Sequence, residues 1–139
     1  KSMITQTPSK EEIKEAIFSL NSDSVAGLDG FTNKFFMFYW DIIHSNVNND
    51  MRQFFTHAYV PFGVNANFIV LIPKKENAID IRDFRPVAIG NTVPKVISKI
   101  MAMRMGWIAK GFIKSNQFGF VPVRNIQNCL YTASECVKL

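Results

Sequence analysis

Two short apolar runs, Phe68-Ile69-Val70-Leu71-Ile72 and Arg85-Pro86-Val87-Ala88-Ile89, constrain this chain more than any other feature. Each is too short for a helix and lies against or contains a proline, so each reads as a strand. The stretch 76–83 between them is polar apart from Ala78, Ile79 and Ile81. It lets the chain reverse into an antiparallel hairpin with a long tip. Pro73 and Pro86 have no N–H to give to a ladder, which keeps their positions off a hydrogen-bonded central ladder. Elsewhere the apolar residues recur at helical spacing. The expected class is therefore α+β, mainly α, with helices packed around one small antiparallel hairpin.

Pro8-Ser9-Lys10-Glu11-Glu12 opens the first helix, with Ser9 as cap and Glu12 placed to complete a capping box. Ile13, Ala16, Ile17 and Leu20 form one stripe, and the helix should stop near Asn21. A polar break follows and ends in Gly27-Leu28-Asp29-Gly30-Phe31, whose glycines allow a tight loop. Thr32 or Asn33 can cap the next helix. Phe35, Phe36, Phe38, Tyr39, Trp40, Ile42 and Ile43 crowd it on more than one face, so it should be largely buried. A further helix carries Val47, Met51, Phe54, Phe55 and Ala58 and ends at Pro61 and Gly63. Pro94 suits the first turn of a helix with Val96, Ile97, Ile100, Met101 and Met105 on one face. Lys95, Lys99 and Arg104 lie off that face, and Gly106 and Gly111 weaken its continuation. Phe118 to Pro122 reads as extended, and Asn125 caps a last helix through Ile126, Leu130, Ala133 and Val137.

At 139 residues the chain has room for one ordinary domain. Its apolar fraction of 47% excludes a disordered composition, and its thirteen Phe must find cover here or against other protein. Charge is divided unevenly along it. Residues 1–70 hold five Lys/Arg against seven Asp/Glu, a net of −2, and residues 71–139 hold eleven against four, a net of +7. The cations begin where the hairpin begins. Such a bias suits a nucleic-acid or nucleotide-phosphate partner, and equally a solubilising face. Cys129 and Cys136 fall on the last helix about 10 Å apart along its axis, too far for a disulfide, so reduced thiols and an intracellular setting, cytoplasm or nucleus, are expected. No apolar run of about eighteen residues exists, so no membrane span is expected. The chain starts without Met and ends inside a helical pattern, which suggests a fragment.

Three constellations can carry chemistry. Lys74 and Lys75 leave one strand as Arg85 enters the other, so their heads can meet. Lysine offers a mobile point charge for an outer phosphate, and arginine a planar fork that can bind phosphate and stack on a base. The same residues also read as a surface hairpin with solvated cations. In Gln117-Phe118-Gly119-Phe120-Val121-Pro122-Val123-Arg124, Phe118 or Phe120 can stack on a base and Arg124 hold a phosphate, or both Phe can belong to the core. The loop Gly27-Leu28-Asp29-Gly30 can bring backbone amides to a strand of nucleic acid, or simply turn between helices. No nucleophilic triad is present, and neither His44 nor His57 has a metal-ligand partner nearby.

In sequence order the blocks Gly27-Leu28-Asp29-Gly30-Phe31, Leu71-Ile72-Pro73-Lys74-Lys75, Arg85-Pro86-Val87-Ala88-Ile89, Lys95-Val96-Ile97-Ser98-Lys99-Ile100 and Gln117-Phe118-Gly119-Phe120 resemble the N-terminal part of a reverse transcriptase from a non-LTR, LINE-type retrotransposon. The resemblance runs from about Ser9 to the end. It implies that residues 1–139 are one incomplete reverse transcriptase domain, the fingers and the start of the palm of a right-hand polymerase. It implies Lys74 or Lys75 on the outer phosphates of an incoming deoxynucleotide triphosphate, and Arg85 on an inner phosphate and over the base. Gly27, Asp29, Gly30, Gln117, Phe118, Phe120 and Arg124 would lie along the RNA template and DNA primer. The chain departs from the family in having Leu28 for Pro, Gly90 for a more usual Cys and Val123 for Gly.

Polymerase chemistry needs carboxylates that hold two Mg²⁺ ions. The family draws these from an Asp downstream and from a Tyr/Phe-Ala-Asp-Asp box. This chain has no Asp-Asp and no Asp after Asp83. No catalytic residue, metal ligand or cofactor is expected in this segment, Mg²⁺ belonging to the complete polymerase with its palm and thumb. Two other readings stand beside this one: a nucleic-acid-binding module without catalysis, and a helical domain whose Phe-rich helices dock a protein.

Overall fold

The computed structural model describes residues 3–114, 117 and 125–137. They are mainly α with one two-stranded antiparallel sheet. The helices are α1 (Lys10–Phe18), α2 (Asn33–Phe38), α3 (Trp40–His57), α4 (Thr92–Phe112) and α5 (Ile126–Val137); the strands are β1 (Asn67–Pro73) and β2 (Phe84–Gly90). The chain divides into two compact units, Lys1–Ile100 and Met101–Leu139, and the boundary falls within α4.

Local chemistry explains the helix starts of the first unit. Ser9 accepts the Glu12 N–H at 3.1 Å and so satisfies one of the orphan donors of α1. Thr32 does the same for α2 through the Phe35 N–H, so it, not Asn33, is the cap. The core of this unit is Ile13, Ala16 and Ile17 of α1, Phe36 of α2, Trp40, Val47 and Met51 of α3, and Val96, Ile97 and Ile100 of α4. Burying each larger side chain contributes about 1.5–3 kcal/mol.

The Phe-rich region differs from the sequence expectation in two respects. The helix break falls at Tyr39, and α3 then runs unbroken for 18 residues. The interruption is a single residue, because the Ile42 and Ile43 N–H groups still bond the Tyr39 carbonyl. Nor is the region largely buried. Phe36 and Trp40 face the core, while Phe38 is 79% and Ile42 77% exposed. A helix offers one packed stripe of roughly 100° to a small core, and the remaining aromatics stay outside it. Phe31, Phe35 and Tyr39 line up instead, with ring centroids 4.5 and 4.9 Å apart. At the end of α3, Ala58 adopts the left-handed conformation (φ 53°), and its N–H bonds the Phe54 carbonyl at 2.7 Å.

The hairpin forms as expected, and its register sets Leu71 opposite Pro86 and Ile72 opposite Arg85. Side chains alternate across a strand. One face therefore carries Phe68, Val70, Ile72, Arg85, Val87 and Ile89, the other Ile69, Leu71, Phe84, Pro86 and Ala88. Both faces are apolar, and most of their side chains are exposed.

In the second unit, α4 continues through Gly106 and Gly111, where a weakening was expected. Arg104 is buried rather than held off the packed face. Asn125 accepts the Gln127 N–H at 3.0 Å at the start of α5, as the sequence predicts. Phe118, Phe120 and Arg124 lie outside the described residues.

Candidate nucleic-acid interface

The hairpin tip holds four cations, Lys74, Lys75, Arg82 and Arg85, and three carboxylates, Glu76, Asp80 and Asp83. Its shape comes from a tight turn at Ile81–Asp83, capped by the Asp80 side chain, which accepts the Arg82 N–H at 2.9 Å. Arg82 also clasps Asp80 with Nε and a terminal nitrogen at 3.0 and 2.9 Å. The Arg82 guanidinium and the backbone N–H together hold the Asp80 carboxyl below its usual range. The carboxylate in turn raises the Arg82 guanidinium. Lys74 continues the ladder beyond β1, its N–H donating to the Asp83 carbonyl at 2.7 Å, and its Nζ donates to the Arg82 carbonyl at 2.7 Å. Lys75 pairs with Asp83 at 2.8 Å.

The cations are thus not equivalent. Arg85 is exposed, and its side chain has no hydrogen bond or ion pair among the described residues. It stands among Val70, Ile72 and Val87 on one face, a setting that suits a planar group stacking while its fork holds an oxyanion. Lys75 is in an exposed pair of at most about 1 kcal/mol, so a phosphate can displace Asp83 from it. The sequence reading grouped Lys74, Lys75 and Arg85 and overlooked Asp80, Arg82 and Asp83. The run Asp80-Ile81-Arg82-Asp83 was the available signal, since alternating charge at a turn predicts local pairing.

The Gly27–Gly30 loop is fastened to the foot of the hairpin. The Gly30 N–H closes a turn on the Gly27 carbonyl at 3.2 Å, and the Phe31 N–H bonds the Asp29 carboxylate at 3.0 Å. Asn91, just past β2, accepts the Asp29 N–H at 3.2 Å and donates to the Gly63 and Val64 carbonyls at 3.3 and 3.0 Å. One amide side chain therefore ties together three segments. Beside it lies a second knot. The Thr92 hydroxyl lies 3.0 Å from Asn33 Oδ1, and Asn33 Nδ2 donates to the Asn21 carbonyl at 2.9 Å and to Ser24 Oγ at 2.7 Å. Asn33, Asn91 and Thr92 are buried, so these bonds leave few polar atoms unpaired in the interior. The sequence reading did not single out any of the three for this role.

Gly27 and Gly90 are small for steric reasons. A Cβ on Gly27 would meet the Gly90–Asn91 backbone, and one on Gly90 would run into the Asn67 side chain. A groove of about 450 Å³ opens at this place, lined by Asn67, Gly90, Asn91, Lys95, Ser98 and Lys99 among others. The loop, the groove and the hairpin all belong to the first unit. Gln117, described with its N–H bonded to the Lys114 carbonyl at 3.1 Å, belongs to the second.

The chain is similar to a transposon protein. The "Transposon TX1 uncharacterized 149 kDa protein" of Xenopus laevis is 28% identical to it over 116 residues, which is 84% of this chain. The chain spans only 9% of that protein's length. No family model matches. Among the described residues no helix is long and apolar enough to cross a membrane.

Proposed function

We propose that this chain is the fingers and partial-palm segment of the reverse transcriptase of a LINE-type retrotransposon, a single incomplete domain. In this reading the hairpin grips the phosphates of an incoming deoxynucleotide, Arg85 at an inner phosphate and Lys74 or Lys75 at the outer ones. The fastened Gly27–Gly30 loop and the groove beside it lie along the RNA template and DNA primer. Gln117, Phe118, Phe120 and Arg124 are likewise assigned to template and primer binding. The observation that carries the reading is Arg85, an unpaired guanidinium among the described residues, held on the apolar face of a hairpin whose mouth bears two lysines. The likeness to a transposon protein supports it independently.

The residues present do not fit a two-metal centre: the sequence has no Asp beyond Asp83, and among the described residues no three His, Cys, Asp or Glu side chains converge. In this reading the segment binds and positions, and the reaction belongs to a palm that supplies the carboxylates. Binding energy of this kind acts on catalysis by orienting the reactants.

The test is kinetic. In a polymerase that carries this segment, Arg85→Ala should raise the nucleotide KM about tenfold, the loss of one charged hydrogen-bonding group. Unchanged nucleotide kinetics would count against the assignment. The two exposed apolar faces of the hairpin favour further protein packing around it.

A further inference from the structure

A second cationic pocket lies away from the hairpin and shares no residue with it or with the Gly27–Gly30 loop. It is a cleft of about 260 Å³ between the first turn of α1 and the middle of α3. Ile13 floors it, and Ser9, Lys10, Asn48, Asn49 and Arg52 supply its polar lining. No carboxylate lines it; Glu11 and Glu12 sit on the same first turn but outside the cleft. Lys10, Asn49 and Arg52 are exposed, and their side chains have no hydrogen bond or ion pair among the described residues.

Asn48 adds an observation of a different kind. Its side chain has no hydrogen bond, and its Oδ1 is shut off from solvent with no partner. A buried amide atom left unpaired costs about 1–3 kcal/mol, so this side chain is not fully satisfied by the protein around it. The cleft presents two positive charges, a serine hydroxyl and the amide groups of Asn48 and Asn49 around this space. That donor set, free of carboxylate, is chemically matched to an oxyanion. Arginine's fork suits a phosphate in particular.

We infer that this cleft is a phosphate site, seating one backbone phosphate of a single-stranded nucleic acid. The identity of the strand rests on the function proposed above; the phosphate chemistry does not. Arg52 supplies the fork, Lys10 a second charge and the Asn48 amide a neutral donor at the cleft wall.

Two probes and two variants test it on the full chain. The probes are inorganic phosphate and a fluorescently labelled single-stranded RNA; the variants are Arg52→Ala and Arg52→Lys. Residue 52 is an exposed helix position, so both variants should fold, and the thermal midpoint checks this. With RNA, Arg52→Ala should weaken binding about threefold to tenfold. It should also lower the slope of log K against log salt by about 0.7, one single-strand phosphate contact. Arg52→Lys should keep the slope and lose part of the affinity. With inorganic phosphate, the Asn48 side-chain amide resonances should shift in the wild type and not in Arg52→Ala. A phosphate response without any RNA effect overturns the strand as the source and supports the site with free phosphate as its ligand. No change with either probe overturns the site itself. Arg85→Ala in parallel separates the two claims, because loss of RNA slope there with none at Arg52 supports the hairpin and rejects the cleft as a contact to the strand.

Discussion

A Cβ on residue 27 would fall 2.5 Å from the backbone nitrogen of Asn91, so the glycine loop and the end of β2 meet backbone to backbone. Neither side can give way as a flexible side chain would. Gly27→Ala should therefore destabilise the fold by about 1–3 kcal/mol, the usual cost of overpacking. Urea denaturation measures this, and an unchanged midpoint would show that the contact is looser than described.

Asn91 fastens the same place by hydrogen bonds. Asn91→Ala leaves the Asp29 N–H and the Gly63 and Val64 carbonyls without that partner, and should cost about 2–3 kcal/mol. Asn91→Asp should be no milder, because a carboxylate can accept from Asp29 but would face two carbonyls it cannot bond. Chemical denaturation of both variants checks the order. An aspartate variant as stable as wild type would contradict it.

The sequence disclosed those parts of this fold that depend on neighbours in the chain. The Ser9 cap, the Asn125 cap and both strands follow from residues within a few positions of one another. The pairing of Asn33 with Thr92 spans 59 residues, and nothing local at either position points to the other. The break at Tyr39 was illegible for a different reason. Hydrogen bonding continues across it, and the surrounding aromatics spread apolar character over every face, so periodicity carried no boundary. At the candidate site, the cations were visible as residue types and their partners were not. Whether a lysine is held or free depends on where Asp83 and the Arg82 carbonyl fall once the tip has turned.

Asp50 gives a pH-dependent prediction. It is exposed at the surface but borders a small apolar pocket with Phe54, Tyr59, Val93 and Ile97, and desolvation on that side raises its carboxyl above the ordinary 3.8. In the window between the ordinary and the raised value, the folded chain binds more protons than the unfolded one. Stability therefore falls as pH rises through that window and stays lowered above it. Asp50→Asn removes this burden. The variant should melt higher than wild type at pH 7, and the difference should vanish below the ordinary carboxyl range. Parallel melting series across pH measure it, and a gain that persists unchanged in acid would assign the effect to packing instead.

The central claim is that the hairpin from Lys74 to Arg85 engages nucleotide or nucleic-acid phosphates. The most direct measurement is the affinity of the chain for a labelled RNA–DNA duplex with a recessed primer end and the next deoxynucleotide present, taken over a series of salt concentrations. The comparison is between wild type and the double variant Lys74→Ala with Arg85→Ala. Each lost phosphate contact should flatten the dependence of log K on log salt by about 0.7–0.9. The account predicts weaker binding and a slope smaller by about 1.4–1.8 for the double variant, with the thermal midpoint little changed. Equal affinity and equal slope for the two proteins would contradict it.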